Sequence, residues 1–317
     1  MDPLKSSASY STEGKALSET ALKALAGKRD NAGKLELFND CFEKIGHSPV
    51  TTPDEKALAA FGKSICPVGA PSSEGMEARA LEAVVESMTL AGAGTPGSII
   101  ACAALKAQDA VGGGLFSTGK ARWAFRDEML DKAFLAVQGS TRTSSDEKDI
   151  AKFGMDIAYK DSYSRTMAKA RQVVLSAIAQ PSSGPIAAVI AETALKAQRE
   201  GDSFEAASIL YRGFEAVASN KRVPAEVREF AEKGKNAYDC PGIPDPIDEK
   251  EAFLPVMKEL PGAALKGEEA EARRKEAETR ESLVELAEEA LQERPAGLTV
   301  EEEFIDIAGI RLGRQQR

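Results

Sequence analysis

The chain repeats itself, and that constrains its fold more than any single motif. SETALKALAG (Ser18–Gly27) returns as ACAALKAQDAV (Ala101–Val111) and as AETALKAQREG (Ala191–Gly201), making Leu22, Leu105 and Leu195 equivalent. TTPDEKALAAFGKSI (Thr51–Ile65) returns as TSSDEKDIAKFGMDI (Thr143–Ile157), with Phe61-Gly62 matched by Phe153-Gly154 and Ile65 by Ile157. A looser pair is EAVVESMTLAGAGTPGSIIA against RQVVLSAIAQPSSGPIAAVIA. Copies are displaced by about ninety residues and keep their order, which points to tandem duplication of a supersecondary unit.

Each unit reads as four helices. The ALKA segment spaces its apolar residues by three and four, as a helix requires. After a glycine-containing turn, a second helix carries the aromatics, in KLELFNDCFEKI, ARWAFRDEMLDKAFLAV and EAASILYRGFEAVA. The third opens on a capping box, Thr52 with Glu55 and Ser144 with Glu147, and Pro53 suits the first helical position. The third copy keeps Pro224 and Glu226 but has Val223 at the cap. A fourth helix carries Val84-Val85 or Val173-Val174 and ends at Gly, Pro and Ser. Few aromatics, 6% of the chain, and abundant alanine favour close packing of helices through small residues.

Within REGDSFEAASILYRGFEAVA (Arg199–Ala218), Gly201 stands at an inter-helix turn, Ala206 at a small position and Leu210 at a large apolar one four further on. This segment resembles a tetratricopeptide repeat. It departs from that family where Gly213 replaces a small alanine, where the closing proline is shifted to Pro224, and where Ala24 or Ala107 stand in place of a larger aromatic. The resemblance implies antiparallel helix pairs stacked in a superhelix whose concave groove binds peptides or helices. Physically, a helix pair with two apolar faces needs neighbours to bury both. The expected fold is therefore all-α, tandem antiparallel helix pairs forming a TPR-like α-solenoid, with a short irregular or strand-like tail; a compact all-α bundle is the competing arrangement.

The expected layout is a disordered start over 1–14, a helical repeat domain over 15–238 (about 15–96, 97–184 and 185–238), a Pro-rich connector over 239–262, a charged helix over 263–294 and a tail over 295–317. In the charged helix, Leu283, Leu286, Ala287, Ala290 and Leu291 form an apolar stripe, expected to cap the array or to bind a partner. In the tail, Phe304, Ile305, Ile307 and Ile310 are apolar in a short β-prone stretch and Arg311, Arg314 and Arg317 are basic, as in a docking segment or an ordinary partly ordered terminus.

The chemical candidates are weak. VGGGLFSTGKA (Val111–Ala121) approximates a phosphate loop, but Ala121 replaces the Ser or Thr that would hold Mg²⁺, and the preceding segment reads as helix where a strand is needed. Gly33-Lys34 and Gly119-Lys120 match as turn residues at helix starts, and the loop at 112–119 is an enlargement of that turn. His47, the one histidine, sits in GHSP and reads as a loop residue. The four cysteines, Cys41, Cys66, Cys102 and Cys240, fit neither a disulfide framework nor a zinc site. Lys120, Arg122, Trp123 and Arg126 form a basic-aromatic patch, but a net charge of −9 disfavours nucleic acid. No run reaches the length of a membrane span, and no secretory signal opens the sequence.

These readings yield no catalytic residue, no cofactor site, no metal site, no nucleic-acid partner and no membrane insertion. The leading expectation is a cytoplasmic, non-catalytic scaffold that binds a protein or peptide, with export as an effector left open. Lys23, Lys106 and Lys196, at equivalent places, would suit an acidic peptide or a C-terminal carboxylate, and Phe304, Ile307 and Arg311 a docking contact. A homo-oligomeric structural subunit built through the charged helix and tail is the alternative, and an enzyme with an unrecognised site a third.

Overall fold

A computed structural model describes residues 11–25, 27, 30–65, 74–90, 94–112, 119–157, 165–180, 183–236 and 246–292. Among these residues every regular element is a helix, without a strand. The order is α1 (Thr12–Leu25), α2 (Asn31–His47), α3 (Pro53–Ile65), α4 (Glu74–Thr89), α5 (Pro96–Gly112), α6 (Gly119–Gly139), α7 (Ser145–Asp156), α8 (Arg165–Ala179), α9 (Ile186–Ala197), α10 (Ser203–Ser219), α11 (Ala225–Asn236) and α12 (Pro246–Gln292). The chain divides into two compact units, Met1–Glu268 and Glu269–Arg317.

In the first unit the helices close in fours. α1 packs on α2 and α4, and α2 packs on α3 and α4; α5, α6, α7 and α8 repeat that set of contacts. Successive groups join because α4 packs on α5 and α3 on α6, then α8 on α9 and α7 on α10. The core is continuous across these joints.

One contact recurs in every group. A methyl placed on Gly62 of α3 would sit 2.5 Å from Cζ of Phe42 on α2, and Gly154 is covered in the same way by Phe134, and Gly234 by Phe214. Each ring is fully buried against the bare backbone of the next helix. Such a ring contributes about 1.5–3 kcal/mol by burial, and an alanine at the glycine would force it aside.

Caps set the start of the third helix in the first two groups. Thr52 N–H donates to Glu55 Oε2 (2.7 Å) and Glu55 N–H to Thr52 Oγ1 (3.2 Å). Ser144 and Glu147 form the same box. Both glutamates also reach the start of a neighbouring helix: Glu55 accepts from the N–H and hydroxyl of Ser11, and Glu147 from Ser98 N–H and the Thr95 hydroxyl. Gly14 and Gly97 leave room for these carboxylates. In the turn before the box, the Thr51 hydroxyl donates to Ile45 C=O and that of Thr143 to Val137 C=O.

The third group departs from the sequence reading by one position. α11 begins at Ala225, so Pro224 precedes the helix; Val223 takes the buried place of Thr51 and Thr143 rather than the cap. Val227 replaces the box glutamate and packs on Gly267 of α12. The third capping box lies instead at the start of α10, between Asp202 and Glu205.

The Pro-rich segment also differs from expectation. It is helical from Pro246 onward, and α12 runs through Pro255 and Pro261. Pro246 opens the helix, where its missing N–H costs nothing. Beyond it Phe253, Met257, Leu260 and Ala264 form a fully buried stripe at spacings of four, three and four, whose burial offsets the hydrogen bonds the inner prolines remove. Phe253 lies 5.8 Å from Phe214 and 6.4 Å from Tyr211 of α10, and Met257 Cε faces Gly213. This stripe covers the third group. In the second compact unit Leu283 and Leu286 are solvent-exposed, at 45% and 61%.

Candidate functional site

The positions where consecutive groups meet supply the candidate site. α3 and α6 flank a cavity of about 370 Å³, lined by Ala57, Ala60 and Ser64 on one side and Leu135, Ala136 and Gly139 on the other. Phe61, fully buried, forms part of the lining. Leu135 is 53% exposed at the mouth. Helical spacing puts Lys56 and Lys63 on the face of α3 that carries Ala60, and Lys132 lines the cavity from α6. The carboxylates nearby are already engaged: Glu128 with Lys132 at 2.8 Å, and Asp54 with Arg142 at 3.0 Å. Lys63 meets Glu43 of α2 only loosely, at 3.8 Å.

The joint between α7 and α10 is built from the same positions with different chemistry. In the register of Phe61-Gly62 and Phe153-Gly154, Ala57, Ala60 and Ser64 correspond to Asp149, Lys152 and Asp156. In the register of Phe134 and Phe214, Lys132, Leu135 and Gly139 correspond to Arg212, Glu215 and Ser219. The cavity there is about 200 Å³, and polar side chains line most of it. Several charges at this joint pair with one another, while Lys152 and Lys221 line the cavity without an ion pair among the described residues. Arg222 pairs with Asp146 and Asp149, Asn220 Nδ2 donates to Asp149 Oδ2 (2.7 Å), and Arg212 pairs with Glu215. Burial raises the Asp156 carboxyl above the ordinary range, with Lys152 pulling it back.

Arg142 and Arg222 occupy equivalent places and clamp each group to the one before it, with opposite degrees of burial. The Asp54 side chain is 2% exposed and its Oδ1 has no hydrogen-bond partner. Its burial raises the pKa, Arg142 opposes the rise, and Glu55 adds to it. Asp146 is 51% exposed. The outer faces are solvated: Glu43, Lys44 and His47 of α2 take the places of Leu135, Ala136 and Gly139, and Glu229 and Glu232 of α11 those of Ala57 and Ala60.

A second ionic cluster lies in the core of the second group. Arg171 of α8 is fully buried, with Nη1 at 2.5 Å from Asp127 Oδ1 and Nη2 paired with Asp131; its Nε donates to Gly154 C=O (3.1 Å). Its guanidinium sits over the Phe134 ring at 5.5 Å, where Phe253 sits against Phe214 in the third group. Burial raises Asp127, against the pull of Arg171. Every donor of this cluster faces protein, which makes it a tie between α6, α7 and α8. Sequence reasoning missed it, because the arginine and its aspartates lie forty or more residues apart.

Lys23, Lys106 and Lys196 are exposed at matching positions of α1, α5 and α9, and none of them lines either cavity. Phe304, Ile307 and Arg311 lie outside the described residues. Gly119-Lys120 opens α6 and the element before it is the helix α5, so the flank of the phosphate-loop look-alike is helical. Gly33 N–H bonds the N-cap Asp30 in the first turn of α2. His47 is the last residue of α2, not a loop residue, and its Nδ1 lies 2.9 Å from Glu43 C=O. Cys41 is buried, which pushes its thiol up to about 11, and Cys102 is an exposed free thiol. Among the described residues no helix is long and apolar enough to cross a membrane, and no group of three or more His, Cys, Asp or Glu side chains is placed to hold a metal ion. Comparisons with protein-family models, with curated proteins and with solved structures find no match.

Proposed function

We propose that this chain is a non-catalytic interaction scaffold, a helical-repeat array resembling tetratricopeptide arrays, in which a groove between consecutive repeats receives a segment of another protein. The observation that carries the reading is the open cavity between α3 and α6. At about 370 Å³ it falls within the usual size of a ligand cleft. An exposed leucine alone needs no explanation. A leucine beside a hollow lined by alanine and glycine, where the equivalent joint carries charged side chains, does. Filling the hollow tests the reading: Ala60→Trp is expected to abolish capture of a binding partner from the native source while leaving the chain folded, with unchanged helical content and a Tm no lower than the parent's. Retained capture would sink it.

A second reading, a structural subunit of a homo-oligomer, is favoured by the exposed Leu283, Val284 and Leu286 of α12. Light scattering on the full chain and on Leu283→Glu with Leu286→Glu separates the two. A monomer in both supports the scaffold, and an oligomer lost in the variant supports assembly.

A further inference from the structure

The first helix of each group is enclosed to a different degree, and α1 is the least enclosed. α5 packs on α4 of the preceding group as well as on α6 and α8, and α9 lies in the same way between α8 and α10. Among the described residues no helix takes the place of α4 or α8 on the far side of α1. We propose that α1 is a detachable strap, latched at its start by Glu55, which opens from the Cys41 face of α2 while α2 to α11 stay folded. The proposal is independent of what the α3–α6 groove binds.

Three observations carry it. The first is burial. In the register of Lys23, Lys106 and Lys196, Ile99-Ile100 of α5 and Val189-Ile190 of α9 correspond to Ala16-Leu17 of α1. The residues of α5 and α9 are buried, whereas Ala16 is exposed and Leu17 half-buried. Ala107 and Ala197 are also buried, yet Ala24 in the same place faces solvent. The residues that α1 buries are Gly14, Ser18 and Ala21, all small. Leu22 and Leu25 are half-buried against the core. Few buried apolar contacts mark the elements that open locally, below the free energy of global unfolding.

The second is the latch. Ser11 N–H donates to Glu55 Oε1 (2.9 Å) and the Ser11 hydroxyl to Glu55 Oε2 (2.8 Å), while Gly14 N–H donates to Ser11 Oγ (2.9 Å). Glu55 is buried and also closes the capping box of α3. A methyl on Gly14 would overlap its carboxylate. The Ser48 hydroxyl donates to Glu13 Oε1 (3.0 Å) from the turn after α2. The hold on α1 is therefore concentrated in polar contacts of its first turn, which water replaces once that turn lifts.

The third is what lies beneath. Gly213 of α10 meets Ala194 of α9. The same register sets Ala133 beside Ala104 in the second group and Cys41 beside Ala21 in the first. Cys41 is buried, and its thiol is hydrogen-bonded to Ser18 of α1. A place that holds alanine or glycine in the other groups thus holds a thiol, under the first helix with the smallest buried face. Opening of α1 uncovers that thiol.

Hydrogen–deuterium exchange of the full chain, with thiol labelling at Cys41 located by peptide mass, tests the strap. Protection of the α1 amides is expected to be at least about tenfold lower than that of α5 and α9, and Cys41 to be labelled well ahead of global unfolding. Gly14→Ala should quicken both processes, although alanine is the better helix former, and leave exchange across α5 to α8 unchanged. Gly97→Ala, the same change against Glu147 in the enclosed α5, should instead lower the Tm of the whole chain. Amides of α1 as protected as those of α5, or Cys41 labelled only at the rate of global unfolding, would overturn the proposal whatever the variants do. So would better protection of α1 in Gly14→Ala than in the parent, or an equal response of the chain to Gly14→Ala and Gly97→Ala.

Discussion

The α3–α6 and α7–α10 joints share one geometry and differ in what fills it. Both lie between the third helix of one group and the second helix of the next, both sit beside a buried phenylalanine–glycine contact, and both are clamped by an arginine from the following turn. At the first joint the clamp reaches a buried aspartate and the groove beside it is apolar and open. At the second, Arg222 meets one exposed and one half-buried aspartate, and charged side chains line the groove. A repeated backbone arrangement thus leaves side chains free to diverge: one joint lines its groove with charged side chains, and the other leaves its groove apolar and open.

Removing each clamp is the strongest way to break this comparison. Arg142→Ala leaves the Asp54 carboxylate buried without its partner and is expected to cost about 2–3 kcal/mol, read as the shift in urea midpoint. Arg222→Ala removes pairs that water already screens and is expected to cost under about 1 kcal/mol, less still at high salt. Equal losses would show that the two joints are energetically alike.

Acidity sharpens the same contrast. The folded-state pKa of Asp54 lies above its unfolded value. Between the two values the folded chain binds more protons than the unfolded one, so stability falls as pH rises through that interval. Asp54→Asn removes this contribution. The Tm of the variant relative to the parent should therefore rise with pH just above the ordinary aspartate value and level off beyond it. A flat difference across that window would contradict the buried setting of Asp54. The smallest effect is expected from Ala60→Leu, which covers apolar surface in the first groove and should raise stability by about 0.5–1 kcal/mol; the longer side chain of Lys152 already fills the equivalent place in the second. A loss of stability on calorimetry would mean that the groove is closed in solution.

Much of the helical pattern was legible because its signals are local. The ALKA stripes, the Thr52/Glu55 and Ser144/Glu147 boxes and the aromatic second helices each declare themselves within one turn or two. The match of Phe61-Gly62 to Phe153-Gly154 drew the eye to glycine, and the contacts explain it: each glycine receives a ring twenty residues upstream, including Gly234, which no Phe precedes. The groove was illegible because it exists only between elements. Ala57 and Ala60 look like ordinary helix formers until Ala136 and Gly139, more than seventy residues on, are set beside them. The equivalent lysines stood out because they repeat, whereas the groove residues are informative because they fail to. The prolines of α12 misled for a different reason: local breakers were outweighed by the tertiary burial of Phe253, Met257, Leu260 and Ala264.

The central claim is that the first joint is open to a partner and the second is not. Titration calorimetry of one helix-length peptide, selected by display on the full chain, tests it most directly, with three proteins: the parent, the variant with the first groove converted (Ala57→Asp, Ala60→Lys, Leu135→Glu), and a variant with the second groove opened (Asp149→Ala, Lys152→Ala, Glu215→Leu). The account predicts one site in the parent, an affinity at least about tenfold weaker when the first groove is converted, and an undiminished first site when the second is opened. An affinity unchanged by converting the first groove would contradict it.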